Sequence, residues 1–325
     1  MSNGLAAVYF VVSLIATLYA AAVFAEWLDK LGARLGLPEA LLGLLTAAGA
    51  DAPELASAVA AVTTGAKDTG FGVLIGASVL NIGTMLGLSV VLCGCVRLRR
   101  EQLVLEGSVA AGVALLVALM MFGVLPAWAV LVIAVVLLTP YVAVVALAEG
   151  HVLSVRRRIS LRRTMGERHR RASVRGRETW QPLLFIVPAI AAIVLGSIGM
   201  VHAAIHLGHA AGMPDVIVGT LVLAVVTSLP NAYTGIRLGL AGRGSALVSE
   251  TMNSNTINLV GGIMIPSLFV TFASGALERA DVIWLLVATV LATGLLFPRG
   301  GIRRVGGGVL LLSWVAFAVV QAVFS

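Results

Sequence analysis

The sequence predicts an all-α membrane protein of ten transmembrane helices, folded as two inverted five-helix repeats, and three observations carry that prediction. The 325-residue chain is 59% hydrophobic and only 11% charged, with a mean hydropathy of +1.04, well outside the range of a soluble domain. Its apolar runs are continuous rather than alternating, so helices and not barrel strands must do the spanning. Finally, a stretch holding acids, a proline and glycines has an echo: Pro53, Gly65 and Asn81 are matched by Pro230, Gly242 and Asn258, each 177 positions later with no gap.

Apolar runs bounded by polar breaks place the spans at 5–25, 40–64, 71–93, 103–123, 127–148, 183–203, 216–240, 246–272, 282–297 and 305–324. The first lacks a basic leading segment and is too long for a cleaved leader, so it reads as a retained span. With the N-terminus outside, the inner loops hold Lys30 and Arg34, then Arg97, Arg99 and Arg100, then a long arginine run, then Arg243, then Arg299, Arg303 and Arg304. Only Lys67 and Arg279 fall outside, as the positive-inside rule asks. Five spans per half is an odd number, so the second half enters the membrane from the opposite side. The expected units are residues 1–153, with the first copy of the repeated stretch at 46–81, and 181–325, with the second at 223–258.

Between them, 154–180 reads as a basic cytoplasmic linker, SVRRRISLRRTMGERHRRASVRGRETW. Its charge fixes topology and meets anionic lipid. An alternative makes it regulatory, since RRIS and RRAS look like basic-directed phosphorylation sites around Ser160 and Ser173. The net charge of +7 sits in segments between spans, so membrane lipid and inorganic cations are the expected partners, not nucleic acid. No small-residue motif guides an oligomeric state. A bacterial cytoplasmic (inner) membrane is the expected location. Cys93 and Cys95, too few and too close for a disulfide framework, have a structural role or none.

The chemistry concentrates in the repeated stretch. A charge in lipid costs roughly 2.5–3.5 kcal/mol on insertion scales, so Asp51 and Glu54, beside Pro53, should face a hydrated, protein-lined cavity. They share a helix face, with Ala47 and Ala50 leaving room beside them. Two carboxylates held close away from water cannot both stay ionised without a cation, so a metal ion or a proton must occupy the pair. The proline also frees backbone carbonyls, and broken helices from two repeats typically meet at the bilayer midplane in transporters.

Across the repeat stand Thr227, Ser228 and Asn231, all oxygen ligands of the kind hard cations take. Asn81 and Asn258 occupy equivalent places in the third and eighth spans and read as further ligands, or as interhelical glue. Glu250, Ser254 and Asn258 recur every fourth residue and line one stripe. Glu250, about 12 Å toward the cytoplasm from Asn258, is either a proton or cation relay or a solvated helix end near Arg243. His202, His206 and His209 share a face and offer a metal site, or simply mark an interfacial helix end. Glu106 and Glu149 read as snorkelling or capping groups near span ends.

The two stretches resemble the paired alpha repeats of the cation/calcium exchanger superfamily, the sodium/calcium exchangers and their relatives. The family pattern is G-T-S-x-P-E, a loop glycine and acid, then G-N-x-x-G-S-N-x-x-N. The first copy offers Gly49, Ala50, Asp51, Ala52, Pro53 and Glu54, then Gly65 and Asp68, then Gly72, Gly76 and Asn81. The second offers Thr227, Ser228, Leu229, Pro230 and Asn231, then Gly242, then Ser254, Asn255 and Asn258. The resemblance implies a sodium/calcium exchanger-like fold and a cation site built from Asp51, Glu54, Asn81, Thr227, Ser228, Asn231, Ser254 and Asn258, with Asp51 and Glu54 holding the metal ion. It also implies a secondary antiporter exchanging calcium or another cation for sodium or protons by alternating access, with spans one and six rocking against the rest. No tightly bound cofactor is expected, only the transported cation, and no enzyme activity.

The departures matter. Ala50 and Asp51 stand where the family has Thr and Ser, Ala77 replaces the later Ser, and Asn231 replaces the second glutamate. The number of carboxylates is kept, while their symmetry is lost. A sodium/proton antiporter using Asp51 and Glu54 therefore stays open. So do a non-transporting relative and, from another class, a membrane metalloenzyme using the histidine face.

Overall fold

A computed structural model describes residues 2–35, 47–97, 100–141, 181–272, 274–297 and 301–324. The expected linker 154–180, with Ser160 and Ser173, and Glu149 lie outside the described residues. What is described is almost wholly helical. In chain order the helices are α1 (Asn3–Leu35), α2 (Ala52–Thr63), α3 (Lys67–Cys93), α4 (Arg100–Met121), α5 (Ala127–Tyr141), α6 (Gln181–Ala210), α7 (Asp215–Thr227), α8 (Leu229–Leu240), α9 (Gly244–Ile257), α10 (Ala276–Leu296) and α11 (Arg304–Phe324). Among them six are long and apolar enough to cross a membrane, or seven if the bent pair α7–α8 is one span.

The 177-residue offset reaches into the backbone. α2 and α8 begin and end at equivalent positions, and α9 matches Lys67–Leu80 of α3 residue for residue. Each pair is joined by the same tight connection. In the first, Gly65 adopts φ +92° and Ala66 N–H donates to the Ala61 carbonyl (2.8 Å); in the second, Gly242 adopts φ +70° and Arg243 N–H donates to the Leu238 carbonyl (2.9 Å). Glycine is what that left-handed position takes without strain, and it satisfies helix-end carbonyls that would otherwise be stranded. Both hairpins then pass into a π-helical segment that starts at the equivalent asparagine, Asn81–Leu88 within α3 and Asn258–Met264 after α9.

Burial separates a centre from a periphery. The apolar window of α3 is 89% buried, against 22% for α1 and for α11, so α3 has no face left for lipid. It lies almost in backbone contact with α7: a Cβ on Gly76 would sit 2.6 Å from the Thr220 carbonyl, and one on Gly219 would collide with the Thr69 carbonyl. Small residues are what let membrane helices approach this closely. α1 and α6 pack along each other at the edge, and α6 also packs on α2.

Several spans differ from their predicted bounds. α1 runs ten residues past the expected end, so Lys30 is helical rather than in a loop; it pairs with Glu26 (2.5 Å) and lies 4.1 Å over the Trp27 ring, which stacks on Phe185. Amphipathic side chains thus carry the helix beyond its apolar run. α6 likewise continues to Ala210 and takes all three histidines into the helix. The predicted span 216–240 is two helices at 47°, broken at Ser228 ahead of Pro230. The predicted span 246–272 becomes α9, a π segment and a short 3-10 turn at Pro266–Leu268. An unanticipated antiparallel pair, Cys95–Val96 against Ile302–Arg303, ties the end of α3 to the start of α11.

Candidate functional site

Two helix breaks meet at the centre. At Asp51 the helical segment 47–50 gives way to α2, and at Ser228 α7 gives way to α8; the residues are equivalent under the 177 offset, with similar backbone angles (φ −80°, ψ −7° and φ −85°, ψ 0°). Proline causes both. Pro53 has no N–H for the Gly49 carbonyl, and Pro230 none for the Val226 carbonyl, so each break leaves an acceptor without its helical donor. The positive ends of the α2 and α8 dipoles lie at these breaks, which favours negative charge there.

The carboxylates occupy that region. Glu54 Oε1 accepts from Ser228 Oγ (2.5 Å) and Asn231 Nδ2 (3.0 Å), and Glu54 Oε2 accepts from Asn258 Nδ2 (2.5 Å). Asp51 Oδ1 accepts from Asn231 Nδ2 (2.8 Å) and Ser254 Oγ (2.6 Å). Asn81 joins through its own Nδ2, which donates to Ser254 Oγ (2.9 Å). All seven of these side chains are 0–1% exposed.

Glu54 and Asn231 are equivalent positions, and they touch. So do Ser78 and Asn255, whose Nδ2 donates to the Ser78 carbonyl (3.1 Å). The Ser228–Glu54 contact is mirrored by Asp51–Asn231, because each joins position 51 or 228 of one copy to position 231 or 54 of the other.

What remains uncommitted is oxygen. Asp51 Oδ2, Asn81 Oδ1, Asn258 Oδ1, Asn255 Oδ1 and Ser78 Oγ are buried without a partner. They form an acceptor-rich, thiol-free set of the kind that suits a hard cation and not a soft one. Orphaned acceptors beside two carboxylates are expensive unless something positive sits among them.

Of the nominated residues, Asp51, Glu54, Asn81, Ser228, Asn231, Ser254 and Asn258 are brought together. Thr227 is buried in the same break, but its hydroxyl donates back to the Leu223 carbonyl (2.8 Å) rather than to either acid. The expected hydrated cavity is not what surrounds the carboxylates: both are fully buried, and amide and hydroxyl donors of the second copy stand where water was expected. Glu250 lies half-buried on the flank of α9, with Asp51 and Arg243 as the charges it faces.

Two expectations are corrected. The histidines do not form a metal site. His202 is exposed, His209 pairs with Asp215 (2.6 Å), and His206 Nε2 has no partner; among the described residues no group of three His, Cys, Asp or Glu could hold a metal ion. Shared helical phase brought them to one side, but His209 is drawn to an acid across the α6–α7 turn. Nor is Glu106 a snorkelling group: it is 7% exposed and bonded to Gln102 and Ser249. Sequence reasoning also passed over the Ser78–Asn255 pair, although the same offset of 177 would have linked them.

Buried acids at paired helix breaks, inside a bundle of apolar helices, define an integral membrane protein with a central polar site. A family described as "Sodium/calcium exchanger protein" matches residues 5–148 and 181–323, and the chain belongs to that family. It is 28% identical over 148 residues to the putative antiporter CaxA of Alkalimonas amylolytica, a match covering 43% of this chain and 45% of that protein. To the sodium/calcium exchanger MaX1 of Methanosarcina acetivorans it is 29% identical over 136 residues, 42% of this chain and 39% of the relative. The chain thus spans less than half the length of the curated relatives it matches. The crystal structure of the H+/Ca2+ exchanger CAX superposes with a TM-score of 0.72 at 16% identity, covering 97% of this chain and 82% of that one, and shares its fold.

Proposed function

We propose that this chain is a secondary cation antiporter that exchanges calcium or another cation for sodium or protons by alternating access. The observation that carries the reading is the buried contact of Glu54 with Asn231, equivalent members of two repeats, with Asp51 on the same amide. A site built from equivalent residues lies on the axis that relates the repeats, and a site on that axis is one that either side of the membrane can reach in turn. The proposed architecture is ten spans in two inverted five-helix repeats, residues 1–153 and 181–325, joined by a cytoplasmic linker at 154–180. The N-terminus lies outside, in a bacterial inner membrane. α1 and α6, peripheral and packed on each other, are the pair that rocks.

Asp51 and Glu54 supply two negative charges, which balance one divalent ion, two monovalent ions or two protons. Asn81, Asn258 and the freed carbonyls supply neutral oxygens, and Ser228, Asn231 and Ser254 hold the carboxylates in place. The cation is cargo, and no resident cofactor is called for. Names among the relatives, an exchanger of sodium for calcium and one of protons for calcium, support calcium as the first ion to test. The second reading, sodium/proton antiport at the same two acids, is favoured by Asn231, whose neutral amide hydrogen-bonds both carboxylates where a second glutamate would have shared a divalent ion with Glu54.

Flux in proteoliposomes separates them. Calcium uptake driven by a sodium or pH gradient supports the first; sodium uptake driven by a pH gradient, with no calcium movement, supports the second. In either case Glu54→Gln removes half the site charge and should weaken cation binding by at least about 100-fold, roughly 2.7 kcal/mol. Absence of both fluxes would mark a non-transporting member of the family.

A further inference from the structure

A second buried carboxylate lies away from the central site. Glu106 of α4 is 93% buried, at 7% exposure. Its Oε1 accepts from Gln102 Nε2 (3.0 Å) and Ser249 Oγ (2.5 Å), while its Oε2 has no partner. Gln102 Nε2 also donates to Ser249 Oγ (2.7 Å), and Gln102 Oε1 accepts from Ser245 Oγ. Tyr141 of α5 donates to Asn253 Oδ1 (2.7 Å). Ser245, Ser249 and Asn253 fall four residues apart and so form one stripe of α9. That stripe neighbours the one carrying Ser254 and Asn258 into the central site.

Among the described residues, no basic side chain is bonded to this cluster. The neighbours bonded to Glu106 are neutral, and a bare carboxylate buried among neutral groups is costly. A proton on Oε2 would remove the charge but leave a buried O–H without an acceptor among the described residues, whereas a cation there meets both needs. The free Oε2 with the Ser245 and Ser249 hydroxyl oxygens amounts to a single negative charge among oxygens, braced by the Gln102 amide, which matches a monovalent hard cation better than a divalent one. Ser245 is exposed and Gln102 partly so, which leaves the cluster open at the Arg243 end of α9.

We propose that Glu106, Ser245 and Ser249, braced by Gln102, form a second, monovalent alkali-cation site, distinct from Asp51 and Glu54 and coupled to them through α9. Filling it fixes the Ser245–Asn253 stripe against α4, and with it the position from which Ser254 and Asn258 meet the central carboxylates.

The test is equilibrium dialysis of the purified full-length protein with radioactive sodium, choline replacing sodium at constant ionic strength. D51N/E54Q disables the central site; it should still bind one saturable sodium per chain, and D51N/E54Q/E106Q should bind none. S245A/S249A in the D51N/E54Q background keeps the carboxylate, guards against a folding defect in E106Q, and should weaken the remaining sodium by several-fold. Loss of all saturable sodium in D51N/E54Q, unchanged binding after E106Q, or unchanged affinity after S245A/S249A overturns the proposal. Failure of the central reading looks different: D51N/E54Q would then bind as much sodium as the wild type while E106Q alone still lowered it.

Discussion

Replacing Asn231 by aspartate tests the site at its centre with almost no change of shape. The substitution exchanges the amide nitrogen for an oxygen at 2.8 Å from Asp51 Oδ1 and 3.0 Å from Glu54 Oε1, turning two favourable contacts into two repulsive ones. At an effective dielectric constant of about 20, like unit charges at those separations repel by about 5–6 kcal/mol each. Rotation of the new side chain and uptake of a proton relieve much of this, so the expected net loss without a cation is about 2–4 kcal/mol. A divalent ion among three carboxylates reverses the sign. Melting followed by intrinsic fluorescence, in chelator and in calcium at matched ionic strength, reads both effects. Asn231→Asp should melt several degrees below the wild type in chelator, and calcium should raise it by more than it raises the wild type. Asn231→Leu, which removes the hydrogen bonds without adding charge, should be destabilised with no such gain. Equal calcium shifts in Asn231→Asp and wild type would refute the claim that this position faces the cation.

Two further perturbations probe the surroundings. Glu250→Gln should slow flux several-fold and flatten its pH dependence while leaving cation affinity at Asp51 and Glu54 within about twofold, since Glu250 faces Asp51 and Arg243 without bonding the central acids; unchanged flux and pH profile would make it a solvated flank of α9. Gly76→Ala places a methyl 2.6 Å from the Thr220 carbonyl, forcing α3 and α7 apart at a cost of about 1–3 kcal/mol. A melting temperature within a degree of the wild type would mean the two backbones do not pack as tightly as described.

The repeated stretch was legible because its causes are local. Proline breaks a helix wherever it stands in the interior, glycine takes the left-handed turn, and a constant offset aligns the copies; these three facts place Asp51, Glu54, Asn81, Ser228, Asn231, Ser254 and Asn258. Tertiary choices were not legible. Thr227 turned to its own helix because a hydroxyl can always find the carbonyl four residues back. Glu106 read as a surface group because its sequence neighbourhood is a charged helix start, and only the packing of α9 on α4 buries it. The histidines shared a helical phase, but phase says nothing about Asp215 arriving from the next helix. The helix ends at Leu35 and Ala210 were missed because hydropathy reports where a run stops being apolar, and amphipathic residues sustain a helix beyond that point.

Duplication sets a constraint that this sequence meets in an unusual way. When equivalent residues meet on an axis, a symmetric sequence must place like against like, and glutamate against glutamate is tolerable only with a cation or a proton between them. Here every acid of the pair belongs to the first copy, while Ser228, Asn231, Ser254 and Asn258 of the second copy supply donors. The contact at the axis therefore holds without an ion, because an amide can give both carboxylates a hydrogen. Such a site can close while empty, at the cost of competition between the amide protons and the incoming ion for the same oxygens. Cation binding should then require Asn231 to turn its carbonyl inward or withdraw. On the proposed reading, that exchange and the count of negative charges together set the preference between divalent and monovalent ions.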